Sequence, residues 1–270
     1  TNYDRVGGYK TRDRCGCIGD ADGITLGFEL ECVQQLPDNE SDTNRNRQER
    51  AEEAAIKVIK ESDNYRCVLA ERDGSLAAGG IEFVTGYATW PSMKPRMEAL
   101  CNSLAKHSFG QHKSAGIHIH VGGHAMDPSH YMGVAWLVLE QHNQAGIEHI
   151  AGRYDTSFAR AGKNILQDSI PNDRYNAINY RDCTWEFRLF NSSVDFETIS
   201  MRAEFCLAAV AHVKENLVEV QEYLNGRCSN HGQPSFMPFH ATPLAFSSFA
   251  AYVQNNSATY PALAKHLGSM

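Results

Sequence analysis

The fold turns on six residues, Gly27-Phe28-Glu29-Leu30-Glu31-Cys32. Apolar and acidic residues alternate, and side chains alternate across an extended backbone. The segment therefore predicts a β-strand with Phe28 and Leu30 on one face and Glu29 and Glu31 on the other. Three more segments repeat the pattern. In Gly80-Ile81-Glu82-Phe83-Val84, Glu82 lies opposite Ile81 and Phe83. In Gly116-Ile117-His118-Ile119-His120-Val121, both histidines lie opposite Ile117, Ile119 and Val121. In Thr184-Trp185-Glu186-Phe187-Arg188-Leu189-Phe190, Glu186 and Arg188 lie opposite Trp185, Phe187 and Leu189.

Antiparallel sheets commonly expose one face, and such a face usually mixes Lys, Thr, Ser and Gln. Here the polar positions hold only Glu and His with one Arg, and no lysine. If the strands share one sheet, these carboxylates repel one another unless they are protonated or bridged by cations. Carboxylate and imidazole together suit Mg²⁺ or Mn²⁺, with positions left for water or phosphate oxygens. Further along, Arg153, Arg160, Lys163 and Arg174 precede the last of these strands. Arginine forks fit phosphate oxygens, so these residues suggest a polyphosphate clamp; a basic surface loop is the alternative.

Outward from the strands, periodicity predicts an amphipathic helix over 48–62, with Ala51, Ala54, Ala55, Val58 and Ile59 on one face. Short strands are expected at 67–70 and 79–85, around the turn Asp73-Gly74-Ser75, and a helix over 93–107. Asp127-Pro128-Ser129 opens a helix expected to reach about Ala151. Residues 174–180 and 183–190 suggest a hairpin, and 196–225 is the longest helical pattern. Two short helices are expected to finish the chain after a Gly/Pro/Asn-rich break at 226–243. The strands come singly or in pairs, without regular βαβ spacing. The expectation is an α+β fold: a mostly antiparallel sheet, helices on one face, and an open acidic face.

Composition agrees with a folded chain. Of 270 residues, 42% are hydrophobic and 21% charged, an ordinary globular balance. Twenty-five basic against 32 acidic residues give a net charge of −7 with no block of like charge, which argues against a dedicated nucleic-acid binder. The longest apolar run, residues 133–139, is far short of a membrane span, and no signal peptide is visible. The eight cysteines include no C-x-x-C pair, and several lie in apolar segments, so buried reduced thiols in a cytoplasmic protein are expected. Cys15 and Cys17 read as loop thiols, with half a zinc site or a redox pair as the alternative.

GFELE at 27–31, ERDGSL-x₃-GIEFVT at 71–85, AGIHIHVGG at 115–123 and YNAIN-x₄-TWEFRLF at 175–190 resemble the amidoligase family. These are carboxylate–amine ligases with the fold of glutamine synthetase and the glutamate–cysteine ligases. The resemblance runs from about residue 24 to 210. It implies a catalytic domain at 24–225; residues 1–23, polar and glycine-bearing, read as an irregular arm, and 226–270 as a C-terminal helical extension packed on the same domain, neither with a counterpart in the family.

Carried over by position, the resemblance implies ATP and Mg²⁺ or Mn²⁺ as cofactors. Glu29 and Glu31 would each touch a different ion, Glu82 would join Glu31, and His118 and Glu186 would join Glu29. Arg188 would contact the transferring phosphoryl group, and His120 would lie near nucleotide or substrate. With Arg160, Lys163 and Arg174 these form the expected nucleotide side of the site. The pattern also expects an acid upstream of Glu82. Glu71 and Asp73 compete for that place, with Asp73 preferred, and both are candidates for the base that deprotonates the amine. The implied reaction joins a carboxylate to an amine, with a peptide or protein terminus, a free amino acid and a polyamine all open as substrates and a homo-oligomer open as well. A phosphoryl transferase, a metal-dependent hydrolase (six histidines fall between 107 and 130) and a non-catalytic assembly module are the rivals.

Overall fold

A computed structural model describes residues 22–36, 43–62, 67–154, 156, 159–160, 175–181, 184–229 and 239–270. The expected arm at 1–23, with Cys15 and Cys17, lies almost wholly outside them. So do Lys163 and Arg174. The chain mixes helix with antiparallel strand pairs, as the alternating segments predict. It divides into two compact units. One comprises the described residues up to His120 together with Phe190–Ile199; the other is Val121–Leu189 with Ser200–Met270.

In the first unit the strands are β1 (Thr25–Gln34), β2 (Val68–Glu71), β3 (Gly80–Thr85), the short β4 (Ala88–Thr89) and β5 (Phe109–Gly110), and β6, which begins at Gly116. They are ordered β2-β3-β1-β6, with β4 and β5 each pairing with one end of β1. Helix α1 (Asn44–Glu61) precedes β2, and α2 (Trp90–Lys106) follows β4. Helix α1 starts four residues earlier than its apolar periodicity suggests. The first turn is polar but capped, since the Thr43 side chain accepts from the Asn46 N–H at 3.2 Å. Pro91 lets α2 begin at Trp90, because a proline in the first turn costs no hydrogen bond.

The antiparallel register of β1 with β3 decides which side chains share a face. Leu30 lies opposite Phe83 and Glu31 opposite Glu82. Phe28, Leu30, Ile81 and Phe83 are at most 1% exposed, against α1 and α2. Phe28 meets Trp90 at 5.9 Å between ring centroids, and Phe83 meets Phe109 edge-on at 5.5 Å. Ser103 on α2 donates to the Val58 carbonyl of α1 at 3.2 Å, tying the two helices together.

The second unit contains α3 (Pro128–Leu139), α4 (Gln144–Ala151), the hairpin of β7 (Ile178–Arg181) with β8 (Thr184–Asn191), and helices α5 (Phe196–Glu215), α6 (Leu217–Ser229), α7 (Phe246–Asn255) and α8 (Pro261–Leu267). Both long helical patterns break. The expected helix over 128–151 is interrupted at Glu140–Asn143. The buried Asn143 side chain donates to the Leu137 and Leu244 carbonyls and accepts from the Phe246 N–H, so its polar needs are met only by leaving the helical path. The helix over 196–225 breaks at Asn216, whose amide returns to the His212 carbonyl at 2.8 Å. Gly146 is required by close approach, since a Cβ there would stand 2.4 Å from the Phe246 ring. The buried Arg202 guanidinium donates to the Ile150 and Ala151 carbonyls and so satisfies the C-terminus of α4.

On the hairpin, Trp185 stacks on Tyr131 at 4.2 Å and donates to the Met126 carbonyl, while Phe187 packs edge-on to Phe205. This face is apolar and buried, as the alternation predicts.

His212 lies beneath the C-terminal segment, with Nε2 2.7 Å from the Pro243 carbonyl. Burial pushes its imidazole below the ordinary value, despite the opposing pull of that carbonyl. A group depressed in the folded state contributes stability above its unfolded pKa of about 6.5, and loses it as pH falls through the folded value. His212→Gln should therefore flatten the fall in melting temperature between about pH 7 and about pH 5. An equally steep fall in the variant would show that His212 does not set the acid sensitivity.

Candidate functional site

The polar face of the first unit's sheet carries a row of acids. Glu31 is the Cα partner of Glu82, and Glu82 is the partner of Glu71 on β2. Directly opposed residues in a sheet share a face with Cβ atoms about 5 Å apart. Glu29 lies two residues from Glu31 on the same face. All four glutamates are buried, at 2–7% exposure.

Two imidazoles from β6 enter this acidic field. His118 Nδ1 is 2.8 Å from Glu29 Oε2, and His120 Nε2 is 3.2 Å from Glu29 Oε1. Burial opposes ionisation of Glu29. The charge of His120 and the hydrogen bonds from both histidines outweigh it, and hold the carboxyl well below the usual range. Donation to Glu29 assigns the proton of a neutral His118 to Nδ1. That tautomer turns the Nε2 lone pair toward Glu31, whose Oε1 is 3.9 Å away. The other oxygen of Glu31 accepts the Gly116 N–H at 2.6 Å, which pins the carboxylate.

Ligand atoms of Glu31, Glu82 and His118 all lie within 4.8 Å of one another. Two carboxylate oxygens and an imidazole nitrogen at that spacing fit a divalent cation of the Mg²⁺ or Mn²⁺ type, with coordination positions to spare. The charges agree. Ionised carboxylates set side by side on one face repel one another, and a bridging cation relieves that repulsion.

On the second unit's hairpin, Glu186 and Arg188 lie on the face opposite Trp185 and Phe187. Arg188 Nη1 donates to Glu186 Oε1 at 2.7 Å, and Glu186 is 2% exposed. Asn179 is the Cα partner of Glu186 and shares its face.

No family profile matches the chain, and no curated protein does. Solved structures similar to it include a GmaS–ADP complex and a novel glutamine synthase homolog, each 13% identical with a TM-score of 0.43. The matches cover 91% of this chain and 66% of the first structure, and 90% of this chain and 63% of the second. The chain thus spans somewhat under two thirds of either, and likeness of this degree says nothing of what this chain does.

The other expected site residues fare differently. Asp73, the preferred upstream acid, sits in the turn after β2 with its carboxylate accepting from the Ser75 N–H and hydroxyl at 2.7 and 2.8 Å. Glu71 holds the position beside Glu82 instead. Arg160 is exposed, on an isolated bridge with Asn176, its guanidinium 5.9 Å from the Tyr175 ring centre. Arg153 donates to the Arg188 and Leu189 carbonyls, a structural use. The Gly116 N–H and Asn179 were not expected from sequence. Strand register alone could have pointed to Asn179. Among the described residues, no helix is long and apolar enough to cross a membrane.

Proposed function

We propose that the chain is an ATP-dependent carboxylate–amine ligase acting through an acyl phosphate. The observation that carries this reading is the buried cluster of Glu31, Glu82 and His118, whose ligand atoms are spaced to hold a cation within a row of acids. Glu31, Glu82 and His118 would hold one divalent ion, and Glu29, hydrogen-bonded to His118, would serve a second. Bound there, such ions would neutralise and align the nucleotide phosphates.

The chain's own groups do the rest. An oxygen of the substrate carboxylate attacks the γ-phosphorus, and ADP leaves. Arg188 offers a fixed guanidinium where charge spreads over the phosphoryl oxygens. The amine nitrogen then attacks the acyl carbon, phosphate departs, and the amine proton passes to a carboxylate. Glu71, beside Glu82 in the strand ladder, is better placed for that role than Asp73, whose Oδ1 is engaged in the turn. His120, 12% exposed and the most accessible of the cluster's imidazoles, is assigned to the nucleotide or substrate side. Arg160, Lys163 and Arg174 are assigned to the outer phosphates. Four free, buried thiols, Cys32, Cys67, Cys101 and Cys206, support a reducing, cytoplasmic setting.

The test is ligand-linked melting. ATP with Mg²⁺ at a hundred times its Kd should stabilise the protein by about 2.7 kcal/mol, which for this chain length is several degrees. ATP with EDTA, or Mg²⁺ alone, should not match it. Glu31→Gln should abolish the shift and leave the fold intact. Product analysis separates the neighbouring chemistry, since a ligase releases free phosphate and a kinase leaves a phosphorylated product. No binding of ATP in the presence of Mg²⁺ or Mn²⁺ would sink the reading.

A further inference from the structure

Asn179 is 1% exposed, and neither its side-chain oxygen nor its nitrogen has a hydrogen-bond partner. A buried primary amide offers two donors and an acceptor, and leaving all of them unmet is among the more costly arrangements in a protein interior. The surroundings do not excuse it as a packing accident. The residue lies directly across the ladder from Glu186, in a hairpin whose other face is fully engaged through Trp185 and Phe187. The same two-residue offset that gives Glu186 its partner Arg188 places the amide beside one anion and near one cation. Arg188, with 13% side-chain exposure against 3% for Glu186, is the outermost of the charged pair.

Resting on the ligase reading, we propose that Asn179 is a substrate-contacting residue whose amide bridges the two reacting groups. Its N–H donates to an oxygen of the activated carboxylate, and its carbonyl accepts an N–H of the attacking amine. A ligand that presents an oxygen acceptor and an N–H donor side by side satisfies both orphaned ends at once. Holding both reactants at that spacing converts the second step into a positioned, effectively intramolecular one. The ligand class that follows is a primary amine meeting an acyl phosphate, with Arg188 on the phosphoryl side and Asn179 on the acyl side. Asn179 neither takes nor gives a proton, so the balance of the reaction is unchanged.

The experiment has two arms. In the first, Asn179→Leu and the smaller Asn179→Val are melted without ligand. If the amide is kept for a ligand, replacing it by an apolar group removes an unmet polar burial, and at least one variant should melt at or above the wild type. Both melting several degrees lower would make the amide structural and overturn the proposal. In the second arm, ATP with Mg²⁺, hydroxylamine as the amine, and each common amino acid in turn as the carboxylate are assayed for hydroxamate. The variants should lose about tenfold or more in hydroxamate formation, as expected for a lost reactant contact, while keeping the ATP–Mg²⁺ melting shift. Unchanged hydroxamate formation overturns the proposal. If the wild type forms none but still binds ATP with Mg²⁺, free amino acids are excluded as the carboxylate. The melting arm then still decides between a ligand group and a structural one.

Discussion

Glu82→Gln should abolish tight Mn²⁺ binding measured by titration calorimetry, and should lower amine-dependent phosphate release by about a thousandfold, the scale of losing a transition-state charge stabiliser. Glu82 is the middle acid of the row, with Glu71 on one side and Glu31 on the other, so it carries the most like-charge repulsion. For the same reason the metal-free variant should melt higher than the wild type, by a gain of about 1 kcal/mol, because one buried charge is removed without changing the shape of the side chain. The two effects have opposite signs, which separates loss of metal from loss of fold. Unchanged Mn²⁺ affinity together with a lower melting temperature would show that Glu82 is held by protein partners and not kept for an ion.

On the opposite face the expected effect is on folding. Phe83 is fully buried, edge-on to Phe109, in the layer between the sheet and helices α1 and α2. Phe83→Ala should lose about 3–5 kcal/mol, from the lost transfer of the ring and the cavity it leaves. Phe83→Leu, which keeps most of the volume, should lose much less, about 1 kcal/mol. Urea unfolding should show the midpoint falling in that order. A loss below about 1 kcal/mol for the alanine variant would mean that the layer collapses into the gap, and that the helices are not held at a set distance from the strands.

Much of this arrangement was open to inspection in the sequence. Side-chain direction in a strand has a period of two, so Glu29 and Glu31 had to share a face once that segment was extended. The same holds for His118 with His120, and for Glu186 with Arg188. The apolar partners of each had to face the other way, and Phe28, Leu30, Ile81, Phe83, Ile117, Ile119, Trp185 and Phe187 are all buried. The helices were legible as helices, from apolar periodicity. Their interruptions at Asn143 and Asn216 were not. A mid-pattern asparagine looks the same whether its amide meets solvent or a carbonyl 101 residues away, as Asn143 does at Leu244.

Local chemistry, then, determined which face of each strand was acidic and which apolar. It requires only the alternation of the backbone, and no knowledge of neighbours. Register was decided in three dimensions. Glu71 stands beside Glu82 because β2 pairs with β3 at that offset, and the nearby Asp73 closes its own turn through Ser75. The tautomer of His118 was decided there too, by a carboxylate 89 residues earlier in the chain. So was the unmet amide of Asn179, which sequence alone presents as one more polar residue in a strand. The reason is common to all three. Hydrogen bonding and charge act over a few ångströms through space, and chain distance carries no record of which groups the fold will bring that close.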